Sequence, residues 1–146
     1  MSRKTIILIA FLLYTCSIAC FANIKDDINK LEQAVNTAVF NLQLLGTTDN
    51  FEQEAEIQLE LAITSIRKSL LKEDYFAYSF YVVARHFKQY KAALNILIEI
   101  NKKEEYKPLR RWVNERIKQT QRHAVGIPDR EFSIKKEFDS IRNLLK

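Results

Sequence analysis

Residues that interrupt a helix are scarce in this chain. Its 146 residues hold two glycines and two prolines, against average usage of about 7% and 5%. A many-stranded β fold needs a turn roughly every 8–12 residues, and turns draw on those residue types. The four that occur fall where helices have to start or stop. Gly46 and Gly126 read as helix ends, Pro108 as a first-turn residue, and Pro128 as a block after a helix end. With 47% hydrophobic and 28% charged residues, the chain is too apolar for disorder. The fold class expected is all-α: a single domain of five or six amphipathic helices, in bundle or short superhelical packing.

Apolar spacing locates the helices. Ile24, Ile28, Leu31, Val35, Ala38, Leu42 and Leu45 alternate steps of four and three, which stacks them on one face of a helix over 24–45. Asn23 is its expected cap, with Asp26 and Asp27 at the positive end of the helix dipole. A second helix is predicted over 50–72, opened by a capping-box variant of Asp49 and Glu52 and lined inward by Ala55, Leu59, Ala62, Ile66 and Leu70. The two should pair as an antiparallel hairpin across residues 46–48. Beyond residue 72, Phe76, Phe80, Val83, Phe87, Tyr90, Leu94 and Leu97 keep the same alternation. That spacing fits either one helix over 75–103 or two helices divided near Phe87 to Tyr90. Pro108 then opens a helix to about Ala124, with Leu109, Val113, Ile117 and Thr120 inward. A last helix begins at Asp129 or Ser133 and turns Ile134, Phe138, Ile141 and Leu145 inward.

Residues 1–22 have the order of a secretory signal peptide. Arg3 and Lys4 precede an apolar run from Thr5 to Tyr14, and small residues lead to Ala22, after which cleavage is expected. Two other fates fit the same residues. The uncharged stretch from Thr5 to Ala22 reaches the lower limit for an uncleaved membrane anchor, and the run from Ser17 to Cys20 approaches a bacterial lipobox with Cys20 as the lipidated residue. Both cysteines, Cys16 and Cys20, lie inside this segment. The remaining stretch of about 124 residues therefore folds without disulfides and is long enough to bury a core unaided.

Charge divides the chain. Five Lys or Arg oppose ten Asp or Glu between residues 23 and 75, whereas sixteen oppose eight between 76 and 146. In the acidic half, Glu52, Glu56 and Glu60 form one outward ridge, and a straight ridge does not converge on a cation. In the basic half, Lys107, Arg110, Arg111, Lys118 and Arg122 lie on the helix opened by Pro108. Lys107, Arg111, Lys118 and Arg122 share the side facing away from Leu109, Val113 and Ile117. Such a stripe is the expected binding surface for anionic lipid head groups, phosphoinositide among them, or another polyanion, at roughly 1 kcal/mol per basic residue. Its simpler role is a solvated face that keeps the protein soluble. Tyr78, Tyr81, Arg85 and Lys88 fall together at 100° per residue, opposite Phe76, Phe80 and Phe87, and form a candidate recognition face. The competing expectation places a second layer of helices over those tyrosines.

Nothing selects a catalytic centre. His86 and His123 are the only histidines, neither has a metal-ligand partner at a recognisable spacing, and no phosphate loop or nucleophile elbow occurs. No enzyme, cofactor or metal site is expected, nor a nucleic-acid partner. Ala84, Phe87, Tyr90, Ala93, Leu97 and Ile100 resemble part of a tetratricopeptide repeat, which implies a turn near Phe87 to Tyr90. The likeness covers about one unit and has no second copy at the roughly 34-residue period, so no repeat array is expected. In kind, the whole chain resembles the small helical orphan proteins exported by type II secretion in intracellular Gram-negative pathogens. That resemblance implies a secreted effector in virulence, acting on a host or envelope surface. The alternative is a periplasmic or envelope protein-interaction module, or a homodimer that sets the acidic ridge of one copy against the basic stripe of the other.

Overall fold

A computed structural model of the protein describes residues 24–46, 49–64, 73–103 and 107–144. The expected signal peptide over 1–22, with Cys16 and Cys20, lies outside them, as do Asn23, Ile66, Leu70 and Leu145. Among the described residues there are six α-helices and no strand: α1 Ile24–Leu45, α2 Phe51–Ile63, α3 Glu73–His86, α4 Tyr90–Lys103, α5 Lys107–Ala124 and α6 Ile134–Leu144. Together they form one all-α bundle. None of these helices is long and apolar enough to cross a membrane.

The helix ends follow local chemistry. Gly46 takes φ +79° after α1 and Gly126 takes φ +105° after α5, the left-handed region in which a Cβ is costly. At Gly126 the closure is a Schellman motif, in which the Gly126 N–H donates to His123 O at 3.1 Å and the Ile127 N–H to Arg122 O at 3.2 Å. The α3–α4 turn uses the same motif with a different residue. Gln89 N–H donates to Ala84 O at 2.8 Å, Lys88 N–H donates to Arg85 O at 3.0 Å, and Lys88 itself sits at φ +59°. The stretch 75–103 is therefore two helices. Ser133 accepts from the Lys136 N–H at 3.1 Å and caps α6, which selects the later of its two expected starts. The expected Asp49 and Glu52 capping box does not form. Asn50 is the N-cap of α2, without a side-chain cap bond, and the helix starts one residue later than that pair requires.

Packing explains both the successes and the failure of the periodicity argument. In α1 the predicted Ile28, Leu31, Val35, Ala38 and Leu42 are buried, whereas Leu45, in the last turn beyond the reach of the packing helices, is exposed; in α2 the predicted Ala55 and Leu59 are buried, Ala62 is half-buried, and Ile63, which the stripe did not include, is buried beside it. These helices pair as a hairpin, with Asn41 Nδ2 donating to Gln58 Oε1 at 3.3 Å. The third helix is covered on several sides. It packs against α1, α2, α4 and α6, and α5 reaches it through Trp112, whose ring meets Tyr78 edge-on at 5.3 Å and Tyr81 at 6.1 Å. Tyr78, Tyr81, Val82, Val83, Ala84 and Arg85 are consequently all buried. Phe76, Phe80 and Phe87, expected in the core, are only half-buried. A helix enclosed by all the others lacks the single apolar face on which wheel arguments depend.

The last helix closes the bundle. α6 lies against α1 and α3 and buries Phe138 and Ile141. Arg142 reaches Asn29 on α1 through Nε at 3.0 Å and forms an ion pair with Glu32. The left-handed Lys88 provides a test of the turn geometry. Replacing Lys88 with Gly should raise the unfolding free energy by about 0.5–1 kcal/mol, because glycine occupies that region without the Cβ penalty. Lys88→Val should lower it. Urea unfolding followed by circular dichroism measures both.

Candidate functional site

The described residue with the strongest demand for partners is Arg85, in the last turn of α3 and 5% exposed. A buried guanidinium needs hydrogen bonds and opposite charge, and the C-terminal part of the chain supplies them. Asp129 accepts two parallel bonds, from Nε at 2.8 Å and Nη2 at 3.2 Å. Nη1 donates to the Tyr81 hydroxyl at 2.8 Å and to Gln119 Oε1 at 3.4 Å, and Glu137 Oε1 lies 3.8 Å away. The Tyr81 hydroxyl donates onward to Glu137 Oε2 at 3.3 Å, and that oxygen also accepts from Arg116 Nε at 2.9 Å. Two aromatic faces complete the enclosure, Phe132 at 4.8 Å from the Arg85 guanidinium and Trp112 at 5.1 Å from that of Arg116.

The electrostatics of this cluster are self-consistent. Burial alone would lower the Arg85 pKa, but the bonds to Asp129 and Tyr81 and the charge of Glu137 raise it above the ordinary guanidinium value. Burial pushes the Tyr81 phenol well above its usual range, and Glu137 adds to the shift. Tyr81 therefore remains a neutral hydroxyl that accepts from one ion and donates to the other. Arg85 with Asp129 and Arg116 with Glu137 form two charge-balanced pairs, all four side chains being 12% exposed or less.

Above this network lies a pocket of about 570 Å³ bounded by α5, the 125–133 segment and the first turns of α6. Arg85, Arg116, Asp129 and Glu137 line its base; Ile127, Pro128 and Phe132 form an apolar wall; Arg122, Arg130, Glu131 and Lys136 stand exposed around its mouth. The His123 ring lies between Ile127 O, 2.8 Å from Nδ1, and Asp129 Oδ1, 3.4 Å from Nε2. A second pocket of about 370 Å³, apolar in character, lies among α2, α3 and α4, with Phe76, Phe80 and Ile96 in its wall. Among the described residues no group of three His, Cys, Asp or Glu is placed to hold a metal ion.

The sequence-predicted residues divide into two groups. Lys107, Arg110, Arg111, Lys118 and Arg122 are all exposed on α5, and Lys107, Arg111, Lys118 and Arg122 run along its outer side for roughly 22 Å at 1.5 Å per residue. Arg111 has a loose ion pair with Glu115 at 3.8 Å. The proposed recognition face is corrected. Tyr78, Tyr81 and Arg85 are buried under α5 and α6, and only Lys88 is exposed; the expected second layer of helices is what covers the tyrosines. Of the pocket residues, Arg122 and Arg85 have a spacing signal in the sequence, Arg85 as part of the face that proves buried. Arg130 and Lys136 belong to no stripe. Their signal is a dense run of mixed charge, Asp129 to Glu131 and Lys135 to Glu137, just past the Gly126 and Pro128 break.

No family model matches the chain, nor does any curated protein or solved structure.

Removing one member of the buried pair should be severe. Arg85→Met and Asp129→Asn should each lower stability by about 3–5 kcal/mol, since each leaves an uncompensated buried group. The double variant Arg85→Met/Asp129→Leu should lose much less than the sum of the two, which a double-mutant cycle in urea would read. A pH effect follows from His86, half-buried against Phe87 and Phe132. Burial holds its pKa below the ordinary imidazole value of about 6.5. Above that pH the imidazole is neutral in both folded and unfolded chains; below it the unfolded chain takes up the proton first. Stability should therefore fall as pH drops below about 6.5, and His86→Gln should flatten that part of the profile.

Proposed function

We propose that the protein is an exported, non-enzymatic binding module, acting as a secreted effector, whose α5 face engages anionic lipid head groups, phosphoinositide among them, or another polyanion. The observation that carries this proposal is the exposure of Lys107, Arg110, Arg111, Lys118 and Arg122 on one helix, with a single loose acidic partner among the described residues. Such a row raises the local concentration of anions and gains about 1 kcal/mol for each basic residue at a charged membrane. Export rests on the order of residues 1–22, and the non-catalytic assignment on the absence of a catalytic motif from the sequence.

A second proposal, a protein-interaction module or homodimer in the periplasm or envelope, draws support from a different place. Phe40 and Leu44 on α1 and Ile57 and Leu61 on α2 are exposed at 42–71%, and large exposed apolar side chains often mark contact surfaces. Concentration-dependent self-association without vesicle binding would favour it.

For the first proposal the measurement is sedimentation with lipid vesicles. Protein should bind vesicles containing phosphatidylserine or phosphoinositide and ignore neutral ones. Binding should weaken as salt shortens the screening length from about 10 Å at 0.1 M toward 3 Å at 1 M. Arg111→Glu/Lys118→Glu should lose more than about tenfold in affinity while unfolding within about 0.5 kcal/mol of the parent, as exposed substitutions do. Failure to sediment with any anionic vesicle at low salt would overturn the proposal.

A further inference from the structure

We propose that the pocket between α5, the 125–133 segment and α6 is a discrete binding site for a phosphomonoester, a small dianionic ligand held by Arg122, Arg130 and Lys136. The assignment goes beyond the α5 surface and shares only Arg122 with it.

Charge is the first argument. The pocket is lined by five cationic side chains and three carboxylates, with His123 counted as neutral. At its base the ions are matched, Arg85 with Asp129 and Arg116 with Glu137. At its mouth Arg122, Arg130 and Lys136 face Glu131 alone, and none of the three cations is ion-paired among the described residues. Two positive charges are thus left in excess within one concavity. A phosphomonoester carries about −1.5 to −2 near pH 7, which neutralises that excess; a single carboxylate would leave half of it. Arginine forks also match phosphate oxygens in paired hydrogen bonds.

Convergence is the second. Arg122 comes from the last turn of α5, Arg130 from the connecting segment and Lys136 from the first turn of α6. A row on one element, as along α5, presents charge to an extended surface, whereas here three elements bring charge to one space. That space is held open by fixed structure. The Gly126 closure, the Asp129 fork to Arg85 and the Ser133 cap pin the connecting segment at three points, so little ordering remains to be done on binding.

The third argument is a local cost. Lys136 lies at the positive end of the α6 dipole, where a cation is disfavoured. Its neighbour Lys135 is compensated by Asp139 at 3.0 Å, but among the described residues no such pair relieves Lys136. A bound phosphate group would. The apolar wall of Ile127, Pro128 and Phe132 leaves room for a compact body such as a sugar or polyol, and the volume lies within the usual range for small-ligand pockets.

The test uses the full chain, after any processing, with inorganic phosphate and inositol phosphate as probes and inositol as the neutral control, by calorimetry at low salt. Both anions should bind saturably at one site per chain, inositol phosphate more tightly, and inositol should not bind. Arg130→Gln/Lys136→Gln should weaken inositol phosphate binding more than tenfold, with unchanged circular dichroism, while binding to phosphatidylserine vesicles through α5 changes less than threefold. Lys107→Glu/Arg111→Glu should do the reverse, which separates failure of this site from failure of the α5 surface. Preference for phosphatidylinositol phosphate vesicles over phosphatidylserine vesicles of equal charge would make the ligand a lipid head group; lack of that preference, with soluble binding intact, would make it a free metabolite. No saturable binding of either anion, or binding untouched by the Arg130 and Lys136 substitutions, would overturn the proposal.

Discussion

A guanidinium cannot remain in a protein interior without opposite charge, and the C-terminal part of this protein is arranged around that requirement. Arg85 emerges from α3 into a space that α5 and α6 cover, and its demand fixes Asp129, Tyr81 and, through Tyr81, Glu137. Because Asp129 lies in the segment joining α5 to α6, the same fork that neutralises Arg85 sets the path of that segment. The position of α6 then follows, since Glu137 must meet both Tyr81 and Arg116. Replacement of such a network by apolar groups is often neutral for stability. Its effect here is geometric, because it decides where the exposed ends of Arg122, Arg130 and Lys136 point.

This arrangement also clarifies what a sequence of this kind discloses. Where a helix has one covered side, spacing was sufficient: Ile28, Leu31, Val35, Ala38 and Leu42 are buried as their period requires, and the outer cations of α5 are exposed. Local breaks were legible too, since Gly46 and Gly126 both adopt the left-handed conformation that glycine permits. The α3–α4 turn was not fixed by spacing, because its left-handed position holds Lys88 and the apolar alternation runs through it uninterrupted. Only the resemblance of Ala84 to Ile100 to one tetratricopeptide unit favoured a division there.

The larger error concerned Tyr78, Tyr81 and Arg85, and its cause is non-local. A wheel places polar residues outward by default, and it cannot register that Asp129 lies 44 residues from Arg85 or that Glu137 lies 56 from Tyr81. Charged residues that pair over such distances look identical, in sequence, to solvated ones. The pocket was hidden for the same reason: its three cations come from three elements, and only Arg122 belonged to a pattern. A surface confined to one helix can be read from period alone, whereas a concave site depends on topology.

The return of α6 onto α1 has a kinetic consequence. Arg142 and Glu32 are 110 residues apart, and Phe138 and Ile141 complete a core to which α1 also contributes. Bringing such distant segments together costs loop-closure entropy that neighbouring hairpins avoid, and contacts of this span slow folding. The α1–α2 and α3–α4 hairpins can form as soon as each is synthesised, but the seam that joins α1 to α6 cannot close until residue 142 is available. Arg85 and Arg116 likewise gain their carboxylate partners only once residues 129 and 137 have been made. The contacts of longest span in the described residues are thus the ones that depend on the last helix, and their closure carries the largest entropic cost.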